Sequence, residues 1–139
     1  MKWITLMGIV ALVGCADSGG GGKNCAQEGT PNMAGNWIGT LTVEPDDTLE
    51  MVATFEQDEK CIDGAWTTTR SKYWTDYGTI SGDLSIKGAF SGTMQFSEYS
   101  GSCTKLDVSL ALSGDSLTGG WTVMDCDAAS FGDISLARQ

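Results

Sequence analysis

From Gly35 onward, apolar residues return at every second position, and no stretch carries a convincing helical stripe. That period constrains the fold more than any other feature of the chain, because successive side chains of a strand point to opposite faces. In GNWIGTLTVE, Trp37, Gly39, Leu41 and Val43 share one face. In TLEMVATFEQ, Leu49, Met51, Ala53 and Phe55 do so. The same alternation aligns Ile62, Gly64 and Trp66; Ile80, Gly82 and Leu84; and Phe90, Gly92, Met94 and Phe96. It continues through Leu106 to Leu112, Leu117 to Val123, and Ile134 to Leu136. The other face is mostly Thr, Ser, Asp, Glu and Lys. This predicts eight strands of about eight to ten residues, joined by short turn-rich links. The chain is all-β, and its aromatic faces must be buried. Consecutive hairpins with no long crossover favour an eight-stranded antiparallel up-and-down barrel over a two-sheet sandwich. Closure also removes the exposed edges of an open sheet. A transmembrane barrel has the reverse pattern, apolar outside and polar inside.

Four inward positions are glycines that follow an apolar–polar pair: Gly64, Gly82, Gly92 and Gly119. They let strands bend and make room for rings opposite, or they leave a cavity. The alternation leaves both outcomes open.

The opening residues follow export grammar. Lys2 gives a positive start, and Trp3 to Val13 is an apolar run of eleven residues. A spanning helix needs about 20, whereas eleven suit a signal peptide. Leu12-Val13-Gly14-Cys15 resembles the lipobox of bacterial lipoproteins. The resemblance implies cleavage before Cys15, lipidation of its sulfur, and anchorage of the chain in a membrane through that lipid. The expected organisation is residues 1–14 as a removed signal peptide, 15–24 as lipidated cysteine and Gly-rich tether, 25–34 as an N-terminal segment, and 35–139 as the barrel. Ala16 stands where an Asp would mark inner-membrane retention in enterobacterial lipoproteins, so the resemblance implies the bacterial cell envelope, at the outer membrane.

Eight basic residues, one of them Lys2, stand against eighteen acidic ones, and removal of Lys2 with the signal leaves a net charge of −11. That balance excludes nucleic acid, whose phosphates need a basic surface. It also excludes a basic membrane-binding face. There is no histidine, so the commonest general base and metal ligand are both missing. No acidic pair falls on an identifiable cleft. The chain is read as a monomeric non-enzyme with no cofactor.

Strand register sorts the remaining cysteines. With Gly114-Asp115 as a two-residue turn, Leu112 faces Leu117, Leu110 faces Gly119, Val108 faces Trp121 and Leu106 faces Val123. Continuing the ladder pairs Cys103 with Cys126 across two strands, which predicts a disulfide. For the first hairpin, Trp37 is expected to face Phe55. Cys61 then lies at the same end as the segment carrying Cys25, which predicts a Cys25–Cys61 link pinning residues 25–34 across the barrel base. Spacings of 36, 42 and 23 between the four cysteines contain no C-x-x-C knuckle, so no metal site is expected. Asp46, Asp47, Asp125 and Asp127 are read as solvated loop acids, not calcium ligands.

Gly35-Asn36-Trp37 on the first strand resembles the G-x-W signature of the calycin superfamily, which includes lipocalins, avidins and a class of bacterial metalloprotease inhibitors. The resemblance implies a Trp that closes the barrel base against an Arg near the end of the last strand. Here Arg138 ends SFGDISLAR, beside the start of strand one in an up-and-down barrel, so it is expected to stack on Trp37. No lipocalin-type C-terminal helix is expected within residues 35–139. Its Thr75-Asp76-Tyr77 spells a lipocalin motif at a different place in the strand order.

Strand order places the longer links at the end opposite the base, with Tyr73, Trp74, Tyr77 and Tyr99 among them. A barrel mouth is a usual ligand site. These four rings are the candidate mouth contacts, with plugging of the mouth as the plainer expectation. The inner rings Phe55, Trp66, Phe90, Phe96 and Trp121 line a pocket or fill it, and filling is the expectation for so small a barrel. Two functions follow: a membrane-anchored barrel that binds a small ligand, or an envelope protein-interaction or protease-inhibitor module with a filled core.

Overall fold

The computed structural model describes residues 24–45, 47–71, 74–97, 104–123 and 130–139, with the side chains of residues 70, 71, 74 and 75 outside that description. Eight strands follow in order: β1 (Gly35–Val43), β2 (Asp47–Asp58), β3 (Cys61–Ser71), β4 (Trp74–Leu84), β5 (Ala89–Phe96), β6 (Lys105–Ser113), β7 (Ser116–Val123) and β8 (Phe131–Arg138). Each pairs antiparallel with the next, and β8 returns to β1, closing the barrel. The expected architecture is therefore present. β2, β3 and β4 run to 12, 11 and 11 residues, longer than the links allowed. The stretch read as a mouth loop around Tyr73 is largely strand, because β3 and β4 continue to Ser71 and Trp74.

Every described apolar residue placed inward by alternation is buried, apart from Val43, Phe96, Leu112 and Val123, which are partly buried and pack against the core. Outward positions carry Glu50, Glu56, Asp63, Asp83, Asp107 and Asp133, all exposed. Ile38, Val52 and Phe131 are exposed apolar exceptions on this wall. The β6–β7 register is as expected, from Leu106 opposite Val123 to Leu112 opposite Leu117.

The β1–β2 register is corrected by two residues. Trp37 pairs with Ala53, and Phe55 pairs with Gly35, because Val43 and Asp47 already face each other across a three-residue link. Packing explains the choice. Trp37 opposite Phe55 would set two large rings side by side in a narrow lumen. The observed register puts Phe55 between Gly35 and Gly64 and Trp37 beside Ala53.

The inward glycines serve close approach. A Cβ on Gly64 would collide with the Thr54 carbonyl and press on the Phe55 ring, and one on Gly119 would collide with the Ser109 carbonyl. Two further glycines, Gly78 and Gly132, stand directly opposite Trp66 and Trp121. Each leaves the space over which an indole lies, a pairing that holds strongly coiled strands together.

The base is sealed by the N-terminal segment. Cys25 and Cys61 are bonded, with Cα atoms 5.2 Å apart, as expected. The Gln57 side chain accepts from the Met33 amide at 2.7 Å and donates to the Pro31 carbonyl at 2.8 Å. Gln27 Nε2 donates to the Leu84 carbonyl at 2.8 Å. Met33, fully buried, plugs the lumen from below. Trp37 Nε1 donates to the Met33 carbonyl at 3.0 Å. The Arg138 guanidinium lies 4.4 Å from the Trp37 ring centroid. Its nitrogens donate to the Ala34 carbonyl at 2.8 Å, the Asn32 carbonyl at 2.7 Å and Asp115 Oδ1 at 2.9 Å. One side chain thus joins the first strand, the last strand, the β6–β7 turn and the segment beneath them.

Candidate functional site

The two halves of the lumen differ. Near the base, Met33, Trp37, Phe55, Phe90 and Leu117 are each at most 2% exposed. Toward the mouth lies a cavity of about 200 Å³. Leu41 and Val43 from β1, Leu49 from β2, Trp66 and Thr68 from β3, and Asp76 from β4 line it, completed by Met94, Phe96, Leu106, Trp121 and Val123. The expectation of a filled barrel holds for the base half and is corrected for the mouth half. The reason is side-chain size. On the mouth side Gly78 and Gly132 contribute nothing, and Trp66 and Trp121 lie against the wall over them.

Those two indoles are fixed by their N–H groups. Trp66 Nε1 donates to the Thr79 carbonyl and Trp121 Nε1 to the Thr42 carbonyl, both at 2.9 Å. Phe96 meets Trp66 edge to face, with centroids 5.2 Å apart and planes at 75°, a favoured aromatic geometry. The lining is mainly apolar. Among the described residues, Thr68 and Asp76 are its two polar side chains, and they face each other across β3 and β4. Asp76 is engaged in an interaction. Two depressions on the outer wall, about 310 and 320 Å³, are larger but shallow, so an occupant would stay mostly hydrated.

Of the candidate interior rings, Trp66, Phe96 and Trp121 come together in the cavity, while Phe55 and Phe90 are core below it. The mouth rings fare differently. Tyr77 is corrected: it pairs with Thr67 on the outer wall and is 45% exposed, so it does not face the lumen. Asp76 takes the inward place instead. Trp74 begins β4, with its side chain outside the described atoms. Tyr73 and Tyr99 lie outside the described residues, as do Cys15, residues 1–14, and the Cys103–Cys126 pair. So do Asp46, Asp125 and Asp127, whereas Asp47 opens β2.

Met33, Thr68, Gly78 and Gly132 were not singled out from the sequence, and Asp76 was named there without an inward place. Alternation carried further finds four of them: Ile62, Gly64, Trp66 leads to Thr68, Ile80 counted backward leads through Gly78 to Asp76, and Ile134 counted backward leads to Gly132. Met33 precedes the alternating region and has no such signal.

No protein-family model matches the chain, and no curated protein matches it. Among solved structures, a redesigned β barrel is similar, with a TM-score of 0.61 and 17% identity, covering 76% of this chain and 90% of that one. The class these observations define is the closed eight-stranded antiparallel β-barrel, and at this identity the likeness concerns fold alone.

Proposed function

We propose that this chain is a membrane-anchored bacterial lipoprotein whose barrel binds a small, mainly apolar ligand in the mouth-side cavity. One observation carries the binding reading: above a base of buried side chains, the lumen holds a cavity of about 200 Å³ against two wall-held indoles. A cavity of about 150 Å³ lined by aliphatic and aromatic groups binds benzene, so this volume suits a ligand of one or two rings. It lies below the 300–1,000 Å³ of drug-sized sites. Among the described residues the lining offers a hydroxyl and one carboxylate, and the chain has no histidine, which supports binding over catalysis. The module reading in which residues 25–32 contact a partner protein is less favoured, because that segment is tied down by Cys25–Cys61, Gln57 and Arg138.

Titration of ¹⁵N-labelled protein with toluene tests the pocket. Amide shifts should concentrate at Leu41, Leu49, Trp66, Met94 and Trp121. An unshifted spectrum at toluene saturation, or shifts confined to the outer wall, overturns the reading. The anchor rests on LVGC and the apolar run before it. Mass spectrometry of the membrane fraction should find acyl chains on an N-terminal Cys15, and a free Cys15 thiol there would remove the anchor from the proposal.

A further inference from the structure

Thr68 occupies an inward position where alternation calls for an apolar residue. It is 3% exposed and lines the cavity beside Trp66. Its strand neighbours are Met51 on β2 and Asp76 on β4. Its hydroxyl has no hydrogen-bond partner among the described residues. Buried hydroxyls are overwhelmingly paired. Valine has the same shape and an equal preference for strands, and would occupy the site with no unpaired group. The two indoles are different: their N–H groups are spent on the Thr79 and Thr42 carbonyls. They present only ring carbon to an occupant, as does Phe96.

We propose that the cavity selects a small aromatic molecule bearing one hydrogen-bonding group, with its ring among Trp66, Phe96 and Trp121 and its polar group on the Thr68 hydroxyl. This inference rests on the pocket-binding reading and adds its chemistry. About 200 Å³ holds one ring or two fused rings. Ring-on-ring contacts at fixed aromatic walls favour an aromatic ligand over a saturated one of equal size. An apolar atom pressed onto Thr68 leaves the hydroxyl unpaired, whereas a phenol-type oxygen satisfies it. A sugar, with several hydroxyls, would leave most of them unpaired against this lining.

The test is a set of Kd values for toluene, phenol, methylcyclohexane and cyclohexanol, measured by amide shifts on the wild type, Thr68→Val and Thr68→Ser. Thr68→Val should raise the phenol-to-toluene Kd ratio by about two- to tenfold, the range of one net hydrogen bond, while the ¹⁵N spectrum stays that of a folded barrel. Thr68→Ser keeps the hydroxyl and should keep the wild-type ratio. The two saturated rings should bind more weakly than their aromatic partners. A ratio unmoved by Thr68→Val overturns the seating on Thr68. Cyclohexanol binding as tightly as phenol overturns the aromatic preference. Failure of all four probes on the wild type overturns the pocket-binding reading instead.

Discussion

Arg138 concentrates more of the barrel's closure than any other described side chain. Its stack on Trp37 and three hydrogen bonds use the flat, forked shape of the guanidinium. Arg138→Lys keeps the charge but cannot reach Asn32, Ala34 and Asp115 together. It should cost about 1–3 kcal/mol in urea denaturation, and an unchanged midpoint would show that charge alone suffices. Asp115, 82% exposed, is the least important partner, since exposed ion pairs contribute little. Gly132 matters for the opposite reason, having nothing to add. A Cβ there would collide with the Thr42 carbonyl and sit 2.7 Å from Trp121 Nε1. Gly132→Ala should cost about 1–3 kcal/mol through overpacking, with a visible change in the indole N–H resonance of Trp121. Trp37 and Arg138 were legible because each stands at a strand end that up-and-down order makes adjacent. Gly132 was not, since its role depends on which ring its neighbour strand presents.

Hairpins and the strap beneath them set the element scale. Alternation gives parity without register: a slip of two residues keeps every side chain on its face. That is why Trp37 and Phe55 were both placed inward correctly and yet paired wrongly. The β6–β7 hairpin escaped this ambiguity because a two-residue turn leaves one register. The strap was legible as a crossing segment through Cys25 and Cys61, but its contacts were not. Gln57, Gln27 and Met33 carry no pattern in sequence. The Cys25→Ser, Cys61→Ser double variant opens a link spanning 36 residues. It should lose about 2–4 kcal/mol of stability, keep its β-type circular dichroism, and become cleavable by protease within residues 25–34. Loss of the whole β signal would mean that the strap is required for folding.

The barrel has a dense base and a cavity in its mouth half. Tightly coupled rings, a buried methionine and the Arg138 fork occupy the base, and the apolar cavity occupies the mouth half. An unfilled apolar cavity is a stability reserve. Leu49→Phe, at the cavity wall, should raise the melting temperature by about 2–8 °C if the ring fits, the scale of one kcal/mol for domains of this size. The same variant should abolish toluene binding. Higher stability with toluene binding intact would place the binding site elsewhere. Tyr77 shows the limit of reading loops by composition. Four aromatics between strands suggested a mouth, but β3 and β4 extend far enough to turn Tyr77 outward and Asp76 inward.

The sequence by itself determined the all-β class, the strand count, the inward and outward sets, the β6–β7 register and the Cys25–Cys61 staple. The first four follow from period-two geometry and local turn lengths, which are properties of neighbouring residues, and the staple follows from the strand order that puts Cys61 at the end residues 25–34 cross. Only the tertiary structure decided the β1–β2 register, the plug at Met33, the outward turn of Tyr77, and the division of the lumen into a filled half and one with a cavity. Those depend on volumes summed across strands distant in sequence. Whether Trp66 and Trp121 fill a lumen or line it is set by Gly78 and Gly132 opposite them, and by the carbonyls of Thr79 and Thr42 that hold their N–H groups to the wall.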